Sequence, residues 1–151
     1  MHERKDATGI GLDISDGALK LARYNAEKNE VADRATFFKS DYLSGFKGKA
    51  DLVVSNPPYI TDKAMKQLSS TVVDYEPALA LRGGDNGLEA YETIIADLPR
   101  ILCSNGVVVF EIGYDQGRAV RHLLTINGFD DIQLFQDLAG HHRVVSGKLS
   151  V

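Results

Sequence analysis

The run Gly106-Val107-Val108-Val109-Phe110-Glu111-Ile112-Gly113, read as GVVVFEIG, decides how the rest of the chain is understood. Its apolar residues do not alternate with polar ones, as they do on a strand with one wet face, and a glycine bounds the run at each end. Such a strand belongs inside a parallel sheet covered on both faces. Working outward, QGRAVRHLLTIN (116–127) predicts a helix closed by Gly128 at the position past the helix end that favours glycine, followed by two strands near DIQLFQD (131–137) and HRVVSGKL (142–149). In the other direction, NGLEAYETIIADLPRIL (86–102) predicts a helix with Leu88, Tyr91, Ile95, Leu98 and Leu102 on one stripe and a kink at Pro99. ADLVVSN (50–56), ATFFKSDYL (35–43) and TGIGLDIS (8–15) read as three further strands. A helix follows the last of these, with Ser15 as N-cap and Ala18, Leu19, Ala22 and Ala26 at helical spacing. Strands and helices alternate, so the chain is of α/β class, one domain with helices over a mostly parallel sheet.

Composition bounds the function. The 151 residues are 44% hydrophobic and 25% charged, as in a globular domain, and 17 basic against 21 acidic residues leave a formal charge of −4. No overall basic field attracts nucleic acid or anionic lipid. No apolar run is long enough to span a membrane, and MHERKDATG lacks the apolar core of a secretion signal, so a cytoplasmic location is expected. The single cysteine, Cys103, falls in the apolar helical stretch ADLPRILCSNG and reads as a structural thiol. The sequence suggests no metal site.

Ligands of open α/β sheets bind beyond the carboxyl ends of the strands, which singles out Asp13, Asp41 and Asn56. A carboxylate at Asp13 suits the vicinal hydroxyls of a ribose, and a helix-capping or solvated acid is the plainer alternative; spacing alone leaves both open. Asp41 can accept from the exocyclic amine of a base or serve as a turn residue. Asn56 is constrained by its neighbours, Pro57, Pro58 and Tyr59. The residue before a proline is pushed to extended geometry, so this backbone is stiff. Neither proline has an N–H, which leaves carbonyl acceptors beside the Asn56 carboxamide. Two acceptors can converge on one –NH₂ group, with the Tyr59 ring as a flat face for the plane that carries it. The segment from Thr61 to Asp85 is too long for an ordinary connection and reads as a functional loop or small insertion.

An NPPY run after an apolar strand resembles the signature of amino-group methyltransferases that use S-adenosyl-L-methionine, among them adenine N6-methylases and protein glutamine methylases. The blocks GLDISDGALKLARYNAEKN, YEPALALRGGDNGLEAYETII, VVFEIGYDQGRAV and DLAGHHRVV, in this order, resemble the HemK/PrmC family, which methylates the glutamine N5 of the Gly-Gly-Gln loop in peptide chain release factors. The resemblance implies a Rossmann-like methyltransferase fold. It places Asp13 on the cofactor ribose, Asp41 and Tyr42 near the adenine, and Asn56 with the Pro57 carbonyl on the two amide hydrogens of the substrate glutamine, with Pro58 in the same loop and Tyr59 against the amide plane. Glu76-Pro77 and Gly83-Gly84 shape the groove wall. Asn56 faces cofactor and substrate alike.

Two departures qualify the match. His142 stands where an acid is expected, in a structural position. More consequentially, family members carry an N-terminal helical docking domain, a first strand and a glycine-rich cofactor loop ahead of Met1. GIGLDIS cannot replace that loop, because its glycines precede a strand instead of lying between strand and helix. The expectation is a partial catalytic domain, inactive or impaired alone, whose exposed strand edges pair with each other, with a partner chain or with its own N-terminus. A nucleic-acid adenine methylase and a silent remnant are the alternatives. None of His2, His122, His141 and His142 lies near the motif, which suits chemistry that needs no histidine base.

Overall fold

A computed structural model describes residues 1, 3–66 and 78–150, and the chain divides into two compact units, Met1–Lys47 and Gly48–Val151. In the first unit, β1 (Gly9–Asp13), α1 (Asp16–Lys28) and β2 (Ala35–Lys39) form a β-α-β step. β1 and β2 pair in parallel, from Gly9 opposite Ala35 to Asp13 opposite Lys39. Ser15 caps α1 as expected, its hydroxyl accepting from the Ala18 N–H at 3.2 Å. The helix buries Leu19 and Ala26, while Ala18 stays exposed. Arg34 secures the residues ahead of β1 by donating to the carbonyls of Ala7 and Arg4 at 2.8 and 3.2 Å.

The second unit contains β3 (Ala50–Ser55), two short helices α2 (Asp62–Met65) and α3 (Ala78–Leu81), α4 (Glu89–Ile101), β4 (Leu102–Glu111), α5 (Gly117–Ile126), β5 (Phe129–Gln136) and β6 (His142–Leu149). The strand order is β3-β4-β6-β5. β3 runs parallel to β4, while β6 runs antiparallel to both β4 and β5, so β3, β4 and β5 share one direction, β6 is reversed, and this four-stranded sheet is mixed but mostly parallel, as expected. In the deciding run, Val108, Phe110 and Ile112 are fully buried, and Val107 and Val109 on the other face are half-buried. Tyr91, Ile94, Ile95, Leu98 and Ile101 of α4 complete the core with Val120, Leu124, Phe129 and Val145. The Tyr91 ring meets Phe110 edge-on at 5.5 Å.

The boundary after α4 differs from the sequence reading. The helix runs through Pro99 and stops at Ile101; Leu102 starts β4, and Cys103 is a half-buried strand residue. Apolar residues at a helix end satisfy a following strand equally well, so periodicity carried the helix too far. β3 then meets β4 at Ala50–Leu102 and again at Leu52–Val107, and the intervening residues bulge with Asn105 in left-handed geometry. Among the described residues β1 pairs only with β2 and β3 only with β4, so neither strand gains the second neighbour that an edge repair requires. Leu52 and Val54 on β3 remain 54% and 68% exposed.

Candidate active site

In the first unit both candidate carboxylates follow the carboxyl ends of adjacent parallel strands. Asp13 closes β1, is exposed, and uses one oxygen to accept the Ser15 N–H at 2.8 Å, leaving the other clear of that bond. The ladder extends past the strands through the Ser40 N–H, which donates to the Asp13 carbonyl at 3.0 Å. Asp41 is exposed and begins a turn in which its carbonyl accepts from both the amide and the hydroxyl of Ser44, at 3.1 and 2.7 Å. The buried Ser40 hydroxyl accepts the Gly45 N–H at 3.2 Å. Between them Tyr42 takes a φ of 46°, left-handed geometry uncommon for a tyrosine and worth about 1–3 kcal/mol of strain. Burial raises the Tyr42 phenol pKa, and the Asp41 charge raises it further, so phenol and carboxylate are electrostatic neighbours.

The second unit presents the NPPY loop directly after β3. Asn56 is exposed, Pro57 is buried, and Pro58 and Tyr59 are half-buried. No cis peptide occurs among the described residues, so Pro57 and Pro58 are both trans. Neither the Asn56 carboxamide nor the Pro57 carbonyl has a hydrogen-bond partner among the described residues.

The rest of the loop is fastened. Ile60 bridges to Arg82: the Ile60 N–H donates to Leu81 O at 3.0 Å and the Gly83 N–H to Ile60 O at 2.8 Å. The Asp62 N–H donates to Gly84 O at 2.9 Å, and the Arg82 guanidinium grips the Asp62 carboxylate through two bonds of 2.6 and 2.7 Å. That pairing holds the Asp62 carboxyl below the usual carboxylate range. Gly83 lies against the motif's backbone; a Cβ there would sit 2.7 Å from the Tyr59 Cα and 2.9 Å from the Pro58 carbonyl. A Cβ at Gly84 would overlap the Glu89 carboxylate, and one at Gly87 would lie 2.5 Å from the Tyr59 carbonyl. The glycines of RGGDNG therefore make room for the chain's own atoms. Glu76-Pro77 lie outside the described residues.

One side chain that the sequence reading left without a role joins these parts. Gln116, at the start of α5, donates from Nε2 to Gly87 O at 2.9 Å and to Tyr59 O at 3.4 Å, and its Oε1 accepts the Gly113 N–H at 3.0 Å. The Tyr91 hydroxyl reaches the same Oε1 at 3.4 Å and the Glu111 carbonyl at 2.9 Å. Burial pushes the Tyr91 hydroxyl pKa up, with Tyr59 and Glu111 adding to it. The only trace of this arrangement in the sequence is the position of a glutamine in GYDQG, between strand and helix.

Residues 1–86 match the family model of the methyltransferase small domain. The chain belongs to that family. Among its relatives, a release factor glutamine methyltransferase of Caulobacter vibrioides is 41% identical over 148 residues, which are 97% of this chain and 51% of the relative. The chain thus spans about half the length of the curated relatives it matches. A methyltransferase structure from Pyrococcus furiosus superposes with a TM-score of 0.73 at 14% identity, covering 97% of this chain and 64% of that one. An RNA methyltransferase of Salinibacter ruber, solved with S-adenosyl-L-homocysteine, matches with a TM-score of 0.55 at 21% identity, covering 96% and 67%. At these identities the two structures establish the Rossmann-like methyltransferase fold for this methyltransferase-family chain. Among the described residues no helix is long and apolar enough to cross a membrane, and no group of acidic, histidine and cysteine residues could hold a metal ion.

Proposed function

We propose that the chain supplies the amide-binding loop and part of the cofactor site of a cytoplasmic S-adenosyl-L-methionine-dependent enzyme that methylates the side-chain nitrogen of a glutamine in peptide chain release factors. The observation that carries this reading is the NPPY loop, braced at Tyr59 and Ile60 while the Asn56 carboxamide stands exposed without a described partner. Relatives at about 40% identity with the name release factor glutamine methyltransferase support the choice of acceptor.

An amide nitrogen is a poor nucleophile because its lone pair is delocalised into the carbonyl. The loop's task is to hold that nitrogen in line with the methyl group to be transferred. The Asn56 carboxamide oxygen and the Pro57 carbonyl accept its two hydrogens, Tyr59 packs on its plane, and both acceptors favour the positive charge that builds on nitrogen during attack. Near-attack placement of this kind can lower a barrier by ~7–11 kcal/mol in favourable cases. No side-chain base is required at the start, since the proton leaves after the nitrogen has become acidic.

The cofactor supplies an electrophilic methyl on a sulfonium. The donor set of the first unit fits its nucleoside end: Asp13 keeps one carboxylate oxygen clear of the Ser15 bond for ribose hydroxyls, and Asp41 with Tyr42 stands at the neighbouring strand end for the adenine. Further polypeptide, from a partner chain or a second copy, is assigned to the free edges of β1 and β3.

The test is transfer of labelled methyl from S-adenosyl-L-methionine by the full-length protein. Label is expected in a release-factor peptide with its Gly-Gly-Gln loop, and little in the same peptide with that glutamine replaced or in duplex DNA. Label in DNA would reassign the protein to the adenine methylases.

A further inference from the structure

We propose that Gln116 is a positioning residue for methyl transfer, an inference that rests on the reading of the Asn56–Tyr59 loop as the amide-binding site. Its carboxamide is the one side chain among the described residues that hydrogen-bonds to the NPPY loop, the RGGDNG turn and the turn after β4 together.

The orientation of that amide is fixed by its surroundings. Gly113 offers an N–H, which only an oxygen can accept, while Tyr59 and Gly87 offer carbonyl oxygens, which only an –NH₂ can satisfy. Turned over, the side chain would set oxygen against two carbonyls and nitrogen against an N–H. Both ends are therefore matched only one way round. Gly113 permits the approach, since a Cβ there would lie 2.9 Å from Oε1, and Gly87 does so on the other side, where a Cβ would lie 2.8 Å from Nε2. The first turn of α5 anchors the backbone, with the Gln116 N–H donating to Gly113 O at 2.9 Å and its carbonyl accepting from Val120 at 3.0 Å.

The consequence for the motif follows from its stiffness. Tyr59 is joined to Asn56 through two trans prolines, so a shift at the Tyr59 carbonyl is passed to Asn56 with little loss to backbone flexing. Gln116 touches neither acceptor of the proposed site, yet it fixes the far end of the rod that carries them. Small displacements of reacting groups are costly to rate even where the substrate still binds.

The discriminating variant is Gln116→Glu, which keeps an oxygen for Gly113 but replaces the –NH₂ with an oxygen facing two carbonyls; Gln116→Met removes both functions at similar volume. In the full-length protein, Gln116→Glu is expected to lower kcat about tenfold, with the KM for a Gly-Gly-Gln peptide and the affinity for S-adenosyl-L-methionine within about twofold. The second readout is hydrogen exchange at the Ile60, Asp62 and Gly83 amides, which should quicken in both variants while the α5 amides keep their protection. Unchanged kcat together with unchanged loop exchange overturns the inference. So does quickened exchange spread evenly through α5 and β4, which marks a general structural role. Absence of methyl transfer to the peptide by the unaltered protein sinks the proposed function instead, and the exchange measurement then decides the inference alone.

Discussion

The two proposed binding regions, one in each unit, are built differently. The NPPY loop in the second unit is fastened by a β-bridge, a bidentate ion pair, close-packed glycines and the Gln116 amide, leaving Asn56 exposed at its front. Asp13 in the first unit is placed by the β1–β2 ladder and a turn at Ser15, Asp41 by a turn at Ser44, and both carboxylates face solvent. On the proposed reading the chain braces the acceptor loop through its own contacts, whereas for the cofactor it offers carboxylates at strand ends. Damage in the second unit should therefore appear in loop geometry and kcat, and damage in the first unit in cofactor affinity.

The largest effect is expected where the packing leaves no room. Gly87→Ala places a Cβ 2.5 Å from the Tyr59 carbonyl at a residue with φ of 73°, and thermal or urea unfolding should show a loss of about 2–4 kcal/mol, overpacking and left-handed strain acting together. Gly17→Ala in α1 is the contrast, since its Cβ would meet only the Ser15 hydroxyl at 3.6 Å; it should stabilise by a few tenths to about 1 kcal/mol. Equal losses at both positions would erase the distinction between the two regions.

On the cofactor side, Asp13→Ala should weaken S-adenosyl-L-methionine binding about tenfold by calorimetry, about what one lost charged hydrogen bond costs, while leaving the melting temperature of the second unit in place. A change confined to kcat would move Asp13 out of the cofactor's reach.

Much of this was legible beforehand. The β-α-β step, the Ser15 cap, the apolar run at Val107–Phe110 and the stiff motif all announce themselves through local rules of spacing, capping and proline geometry. What stayed hidden depends on residues far apart in the chain. Gln116 reaches Tyr59 across 57 positions, and no local pattern marks a side chain whose partners are backbone carbonyls. The one reversed strand of the four-stranded sheet, β6, carries no mark of its direction, because an apolar strand inside the core reads alike whether its neighbour is parallel or not. The start of β4 was misjudged for a similar reason, Leu102 serving a strand where helical periodicity still ran.

Exposed strand edges give a third, smaller expectation. With Leu52 and Val54 exposed and β3 paired on one side only, the 151-residue chain should self-associate with concentration in sedimentation, and Val54→Lys should suppress this. Identical profiles for both proteins would show that the edge is inert.

The smallest effect is the pH response of the bridge beside the motif. Arg82 holds the Asp62 carboxyl below the usual range, so the ion pair's contribution is present above about pH 4 and is lost as pH falls through the lowered value. Exchange at the Asp62 and Gly83 amides should quicken modestly in that acid window, more so in low salt, and Asp62→Asn should remove the dependence.

The measurement that bears most directly on the account is the effect of Asn56→Ala in the full-length protein on two constants at once. With one acceptor for the substrate amide removed, methyl transfer to a Gly-Gly-Gln peptide should fall by about ten- to a hundredfold, or ~1–3 kcal/mol in the transition state, while the dissociation constant for S-adenosyl-L-methionine stays within about twofold. An unchanged rate of transfer, or a loss that appears wholly in cofactor binding, would contradict the assignment of this loop to the glutamine amide.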